Sequence, residues 1–272
     1  MPDNIIPNNI IHIIPYNIIP NNMINIILKL VILIIIIYFL FNYMIENFYD
    51  LTNLPGEFNG KIDDVNISPL TGIPKIIHHI CPKDFKRWNS KWFIGYESWI
   101  RLFPKPEYTH MLWYDDELNK LIDEEFPWFS EIFNSYDVNI KRIDMIRPFF
   151  LYKYGGIYAD MDYVVYKNFF DELPQDKVSI PESPYKDNEF IQNALLISPP
   201  KHNFWLLIID ECFLNKDKHV FEATGPQLYT NLYYKFPSLV NILSSTLYNP
   251  HIGTDDFISD KLYAKHLLTT MW

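Results

Sequence analysis

The sequence predicts an α/β domain built on a mainly parallel sheet, preceded by one apolar helix. Three observations carry this. Strand-like and helix-like segments alternate over residues 73–272. Residues 24–44 form an apolar run whose one charge is Lys29. Between the two, residues 45–72 hold Pro55, Gly56, Gly60, Pro69 and Gly72 and no clean period, as a stem does.

Taken in order, residues 1–23 are rich in Asn, Ile and Pro and carry "NIIPNN" twice, a low-complexity tail. As a helix, residues 24–44 would be about 30 Å long, enough to cross a bilayer. No small-residue cleavage site follows, so a membrane anchor is expected rather than a removed leader. Lys29 lies at the N-terminal end of the run, while Glu46, Asp50 and Glu57 follow it. That asymmetry predicts a single-pass type II protein with its large part lumenal, in a Golgi- or ER-type membrane or, for a virus-borne chain, a host membrane.

From Ile73 onward, "IPKIIHHI" and "YTHMLWYDD" read as strands, and "DELNKLIDEEF" and "IKRIDMIRPFFLYKYGG" as helices, the second stopped by Gly155 and Gly156. "GIYADMDYVVY", "VSIPE" and "NALLIS" read as strands, "HNFWLLIIDECFL" and "GPQLYTNLYYKF" as helices. The formal charge of -10 argues against a general nucleic-acid binder. The 17% aromatic content suits a large core or a site that stacks on a ring. Cys81 and Cys212 read as two buried thiols, with one disulfide as the alternative.

The chemistry concentrates in "YKYGGIYADMDYVVYK". Alternation along a strand would put Asp160 and Asp162 on one face. Ligands in such folds gather outside the carboxyl ends of strands. Two neighbouring carboxylates repel unless a cation joins them, and Mn²⁺ or Mg²⁺ suits hard oxygen ligands. Such a metal can hold a diphosphate and stabilise it as a leaving group. The same repulsion predicts that removing one carboxylate leaves the metal-free protein as stable, or more so. A glycosidase pair is disfavoured, because these two side chains cannot flank a sugar from opposite sides.

These segments, with "EEFPWFSEIFNSY", "ATGP" and "HLLTTMW", resemble glycosyltransferase family 32 over about residues 73–272, and among its members the inositol phosphoceramide mannosyltransferases. The resemblance implies a GT-A fold (Rossmann-like, for nucleotide-diphospho-sugars) and retaining transfer of a hexose from a nucleotide donor. It favours GDP-mannose as donor and a lipid or glycan acceptor such as inositol phosphoceramide. It implies that Asp144 and Arg147 touch the donor sugar, Arg147 also lying near the diphosphate. It further implies His266 at the metal or diphosphate, Trp272 at a phosphate, Asn193 at the sugar, and Thr224 and Gly225 at the acceptor. His78 reads equally as a donor contact and as a core histidine. Three positions depart from the family pattern: Cys81, Pro148 and Met271. They feed an alternative, a catalytically inactive, membrane-anchored binding protein of the same fold.

Overall fold

The computed structural model describes residues 21–48, 72–185, 190–251 and 261–269. The chain divides into two compact units, residues 1–52 and 53–272.

In the first unit, α1 spans Asn21–Phe48. Its described side chains, residues 26–39, are all exposed, and nearly all are large and apolar. At 1.5 Å per residue they cover about 21 Å. Among the described residues no helix is long and apolar enough to cross a membrane.

The second unit begins with β1 (Ile76–Ile80), α2 (Ser90–Leu102), β2 (Thr109–Trp113), α3 (Asp115–Glu125), α4 (Ser130–Asn134) and α5 (Asn139–Tyr154). It continues with β3 (Gly156–Ala159), β4 (Tyr163–Val165), β5 (Val178–Pro181), β6 (Leu195–Ser198), α6 (Asn203–Leu214), α7 (Val220–Ala223) and α8 (Pro226–Lys235). It closes with β7 (Val240–Leu243), α9 (Ser245–Tyr248) and β8 (Ala264–His266). Six strands form one sheet in the order β2-β1-β3-β6-β5-β7, and β4 pairs with β8 in a second, two-stranded sheet. The larger sheet is mixed but mostly parallel: β6 alone runs against its neighbours β3 and β5.

The central strands are buried throughout, so they are mostly apolar and do not alternate with exposed polar residues. A cluster around Trp99, Phe103, Ile157, Tyr163 and Phe169 fills one side of the sheet. Most of α5 is buried, and it packs against α6. Pro148 removes one backbone donor from α5, yet the helix runs on to Tyr154.

One sequence expectation changes. "GIYADMDYVVY" is two strands, β3 and β4, joined by a turn at Asp160–Asp162. The Asp160 N–H donates to the Ala194 carbonyl at 2.9 Å and the Tyr163 N–H to the Asp160 carbonyl at 2.9 Å. These bonds pull the chain out of the larger sheet, so the two carboxylates project from a turn and not from one strand face.

Candidate active site

The site begins where α5 ends. Gly155 caps it at φ 62°, and Gly156 follows at φ 100°, in a region that L side chains avoid. A Cβ on Gly156 would lie 2.5 Å from the Ile76 carbonyl oxygen, so glycine is what lets β3 lie against β1. Four residues of β3 then deliver Asp160 at the strand's carboxyl end.

Arg147 backs that aspartate. Its Nη2 donates to Asp160 Oδ1 at 3.1 Å, and its Nη1 donates to the Asn193 carbonyl at 2.9 Å and lies 2.9 Å from Asp144 Oδ1. The guanidinium lies over the Tyr158 ring, 4.8 Å from its centroid, and the Tyr158 hydroxyl donates to Asp160 Oδ1. Asp144 and Arg147 are therefore a buried pair, not a pair on the helix surface. Burial opposes the charge on Arg147, but Asp160, Tyr158 and Asp144 outweigh it and raise its pKa. Burial pushes the Asp144 carboxyl up to about 6 despite Arg147. Burial raises Asp160 as well, against the pull of the same guanidinium.

Asp162 is held from the other side. β8 pairs with β4 so that His266 lies opposite Tyr163, and their rings stack 5.3 Å apart. From there His266 Nε2 meets Asp162 Oδ1 at 3.2 Å. Leu268 takes φ 47°, which bends the chain so that Thr269 returns to the same carboxylate. A β-carbon in that region costs about 1–2 kcal/mol. Thr269 donates to Asp162 Oδ2 from its N–H at 2.7 Å and its Oγ1 at 2.6 Å. Burial alone would raise Asp162, but the bonds from His266 and Thr269 outweigh it and hold the group at about 2.

Asp160, Asp162 and His266 each offer one ligand atom, and these atoms all lie within 4.8 Å of one another. Asp160 Oδ2 is 4.0 Å from His266 Nε2. Two carboxylates and one imidazole fit a divalent cation of the Mn²⁺ kind, since Mg²⁺ favours an all-oxygen shell. His266 Nδ1 is buried with no hydrogen-bond partner, so the ring is not locked into one role from behind. A cavity of about 220 Å³ opens on this trio, walled by Tyr158, Met161, Trp92 and Thr269. A larger one of about 920 Å³ shares Ile80 and Trp92 with it and reaches Cys81, Asp115 and Lys141.

The remaining expected residues fall elsewhere. His78 is fully buried: Nδ1 accepts from Trp113 Nε1 at 3.0 Å, so Nε2 carries the proton and donates to the Gly155 carbonyl at 2.8 Å. Burial lowers its pKa to about 4. With both nitrogens engaged it is a core histidine, and the donor-contact alternative is corrected. Asp144, Arg147 and Asn193 stand behind the small cavity and do not line it. Asn193 Nδ2 makes a long, 3.5 Å contact to the Thr224 carbonyl. Thr224 is buried with Oγ1 unpartnered, and Gly225 is buried at the start of α8. Neither lines either cavity. Cys81 and Cys212 are free and buried. Trp272 and Met271 lie outside the described residues.

Three contributors escaped the sequence reading. Tyr158 had a signal, lying two residues before Asp160 on β3. Trp92 donates from Nε1 to Thr269 Oγ1 at 3.2 Å. Gly95 lets α2 press on the turn, since a Cβ there would lie 2.1 Å from the Met161 carbonyl oxygen. An isolated glycine inside a helical pattern was the available cue.

Residues 89–180, which include both aspartates and Arg147, match the family described as a glycosyltransferase sugar-binding region containing a DXD motif. This match bears out the resemblance drawn from the sequence. Among curated relatives, the chain is 38% identical over 112 residues to inositol phosphoceramide mannosyltransferase 3 of Schizosaccharomyces pombe, covering 38% of this chain and 29% of that one. It is 35% identical over 159 residues to mannosyl phosphorylinositol ceramide synthase CSH1 of Saccharomyces cerevisiae, covering 58% and 39%. It thus spans well under half the length of either. Among solved structures, PaToxG glycosyltransferase superposes with a TM-score of 0.46 at 18% identity, over 73% of this chain and 77% of that one.

Proposed function

We propose that the chain is a metal-dependent, retaining glycosyltransferase of the GT-A type that moves a hexose, mannose from GDP-mannose in the favoured case, to a lipid acceptor such as inositol phosphoceramide. The observation that carries this reading is the convergence of His266 on β8 with Asp160 and Asp162, which lie at the carboxyl end of β3 within the matched residues 89–180. The names of the curated relatives support mannose and the lipid acceptor.

Asp160, Asp162 and His266 would hold Mn²⁺ or Mg²⁺, which supplies positive charge to a departing diphosphate. Arg147 fixes one Asp160 oxygen and leaves Oδ2 facing His266. Thr269, itself bonded by Trp92, fixes the Asp162 carboxylate. Tyr158 and Met161 wall the cavity and limit water. The larger neighbouring cavity is of the size that nucleotides occupy. Among the described residues, no carboxylate besides Asp160 and Asp162 lines the small cavity, which favours same-face attack by the acceptor hydroxyl and hence retention. Residues 24–44 would anchor the chain as a single-pass type II protein with this unit lumenal.

The second reading, an inactive binding protein of the same fold, draws on Asp162, both of whose oxygens already have protein partners. Donor hydrolysis and transfer with Mn²⁺, measured across a panel of sugar nucleotides, separates the two. Turnover with one donor supports the enzyme. Saturable nucleotide binding without turnover of any donor supports the binding protein.

A further inference from the structure

The turn that carries the two aspartates rests on an aromatic platform that comes through to the surface. Met161, Cys81, Trp88 and Trp92 pack together as a buried cluster. Trp88 is 6% exposed and fixed by its Nε1 donating to the Pro82 carbonyl at 2.9 Å. Phe85 and Phe93 pack on its ring at 4.9 and 5.4 Å, yet they are 54% and 41% exposed, and Ile94 beside them is 52% exposed. Three large apolar side chains thus face solvent on a rigid base. Residues 85–87 and the first turn of α2 present them.

Charge around them runs against the rest of the molecule. The chain carries a formal charge of -10. Within residues 83–94, Lys83, Lys86, Arg87 and Lys91 are exposed with only Asp84 opposing them. Exposed aromatic and aliphatic side chains with cations close by in the chain are what an anionic bilayer surface selects. The apolar groups enter the headgroup boundary, and each cation near the surface adds about 1 kcal/mol. A strongly acidic protein needs such a local reversal to approach an anionic surface at all.

We propose that residues 83–94 are a wedge that seats this unit on an anionic lipid surface. Its position gives the seating a consequence. Lys91 Nζ donates to the Leu267 carbonyl at 3.0 Å, and Trp92, next to Phe93, lines the cavity above Asp160 and Asp162. A surface that meets Phe93 therefore lies beside the mouth of that cavity, where a lipid headgroup could enter. Seating and sugar transfer are separable, and the test reads only the first.

Cys81 and Cys212 are buried, so a cysteine placed at an exposed position takes an environment-sensitive fluorophore selectively. The full chain carrying Ile94→Cys, and separately Phe85→Cys, is labelled and reconstituted in vesicles with brominated acyl chains, of phosphatidylcholine alone or with phosphatidylserine. A Tyr234→Cys label, at a residue 65% exposed on α8, is the reference. The labels at 94 and 85 should be quenched and blue-shifted with phosphatidylserine, while the label at 234 stays unquenched. Lys83→Glu with Lys86→Glu, or high salt, should remove that quenching. Absence of quenching at 94 and 85 overturns the wedge. So does equal quenching at 234, equal quenching without phosphatidylserine, or a response to an acidic polypeptide or RNA in place of vesicles. None of these readings depends on turnover, so a failed wedge and a failed glycosyltransferase reading are told apart.

Discussion

Thr269 grips Asp162 twice, donating to Oδ2 from its backbone N–H at 2.7 Å and from its hydroxyl at 2.6 Å. Thr269→Val keeps the shape and the backbone bond but removes the hydroxyl donor. A lost hydrogen bond to a buried charged group is worth about 1.5–3 kcal/mol, so the thermal midpoint should fall at neutral pH. The sign with pH follows from Asp162, which is depressed from 3.8 to about 2. Its contribution is present above about pH 4 and is lost as pH falls through about 2. The gap between Thr269→Val and the parent should narrow through that window, while Thr269→Ser tracks the parent throughout. A gap that persists unchanged at the acid end would mean that the threonine acts by packing alone.

Gly95 offers a test in which two physical effects have opposite signs. By helix propensity, Gly95→Ala should stabilise α2 by about 1 kcal/mol. The added Cβ would lie 2.1 Å from the Met161 carbonyl oxygen, and that atom is backbone. Either α2 or the turn must move, at a cost of about 1–3 kcal/mol. We expect a lower midpoint together with weaker Mn²⁺ binding, measured by calorimetry. A midpoint above the parent's would show that the contact yields freely.

Arg147 separates charge from geometry. Arg147→Lys keeps the charge but cannot serve Asn193, Asp144 and Asp160 from one fork. Arg147→Met leaves two buried carboxylates without their cation and should cost about 3–5 kcal/mol. The lysine variant should fall between the methionine variant and the parent in denaturant midpoint. Equal stability of all three would remove Arg147 from the framework of the site.

What the sequence made legible follows from where each signal is local. β1 was readable because its three isoleucines bracket two histidines in a short run with no helical period. The end of α5 was readable because Gly155 and Gly156 are local stops. The break between β3 and β4 was not, because apolar residues lie on both sides of it and the bond that makes the turn comes from Ala194, far along the chain. His266 stands on a three-residue strand whose pairing with β4 has no local sign, so it entered through resemblance to a family. Asp144 and Arg147, three residues apart on α5, share one helix face by spacing alone. That the face is buried depends on β3 and β6 closing over it.

Asp162→Asn decides most about the site. From the pattern alone, removing one of two adjacent carboxylates should leave the metal-free protein as stable, or more so. The structure reverses that expectation. Asp162 is surrounded by donors, with His266 Nε2 at Oδ1 and two Thr269 donors at Oδ2. An asparagine keeps one acceptor, which Thr269 would claim, and turns an NH₂ toward His266. Accommodating it needs the His266 proton to move to Nδ1, which has no partner. The charge assistance in all three bonds is lost as well. We therefore expect the metal-free midpoint to fall, by a loss on the order of 1–3 kcal/mol. Mn²⁺ and GDP should each bind more weakly in the presence of the other, since each supplies charge or ligands to the other. Transfer should drop at least about 100-fold, or about 2.7 kcal/mol of transition-state stabilisation. Asp144→Asn, whose carboxylate stands behind the cavity, should impair transfer but leave the linked titration largely intact. Titrating both variants with Mn²⁺ and GDP beside the parent gives the answer. An Asp162→Asn protein that melts lower yet retains parental linkage between metal and nucleotide would make Asp162 a structural anchor for the Leu268 bend and leave the metal to other groups.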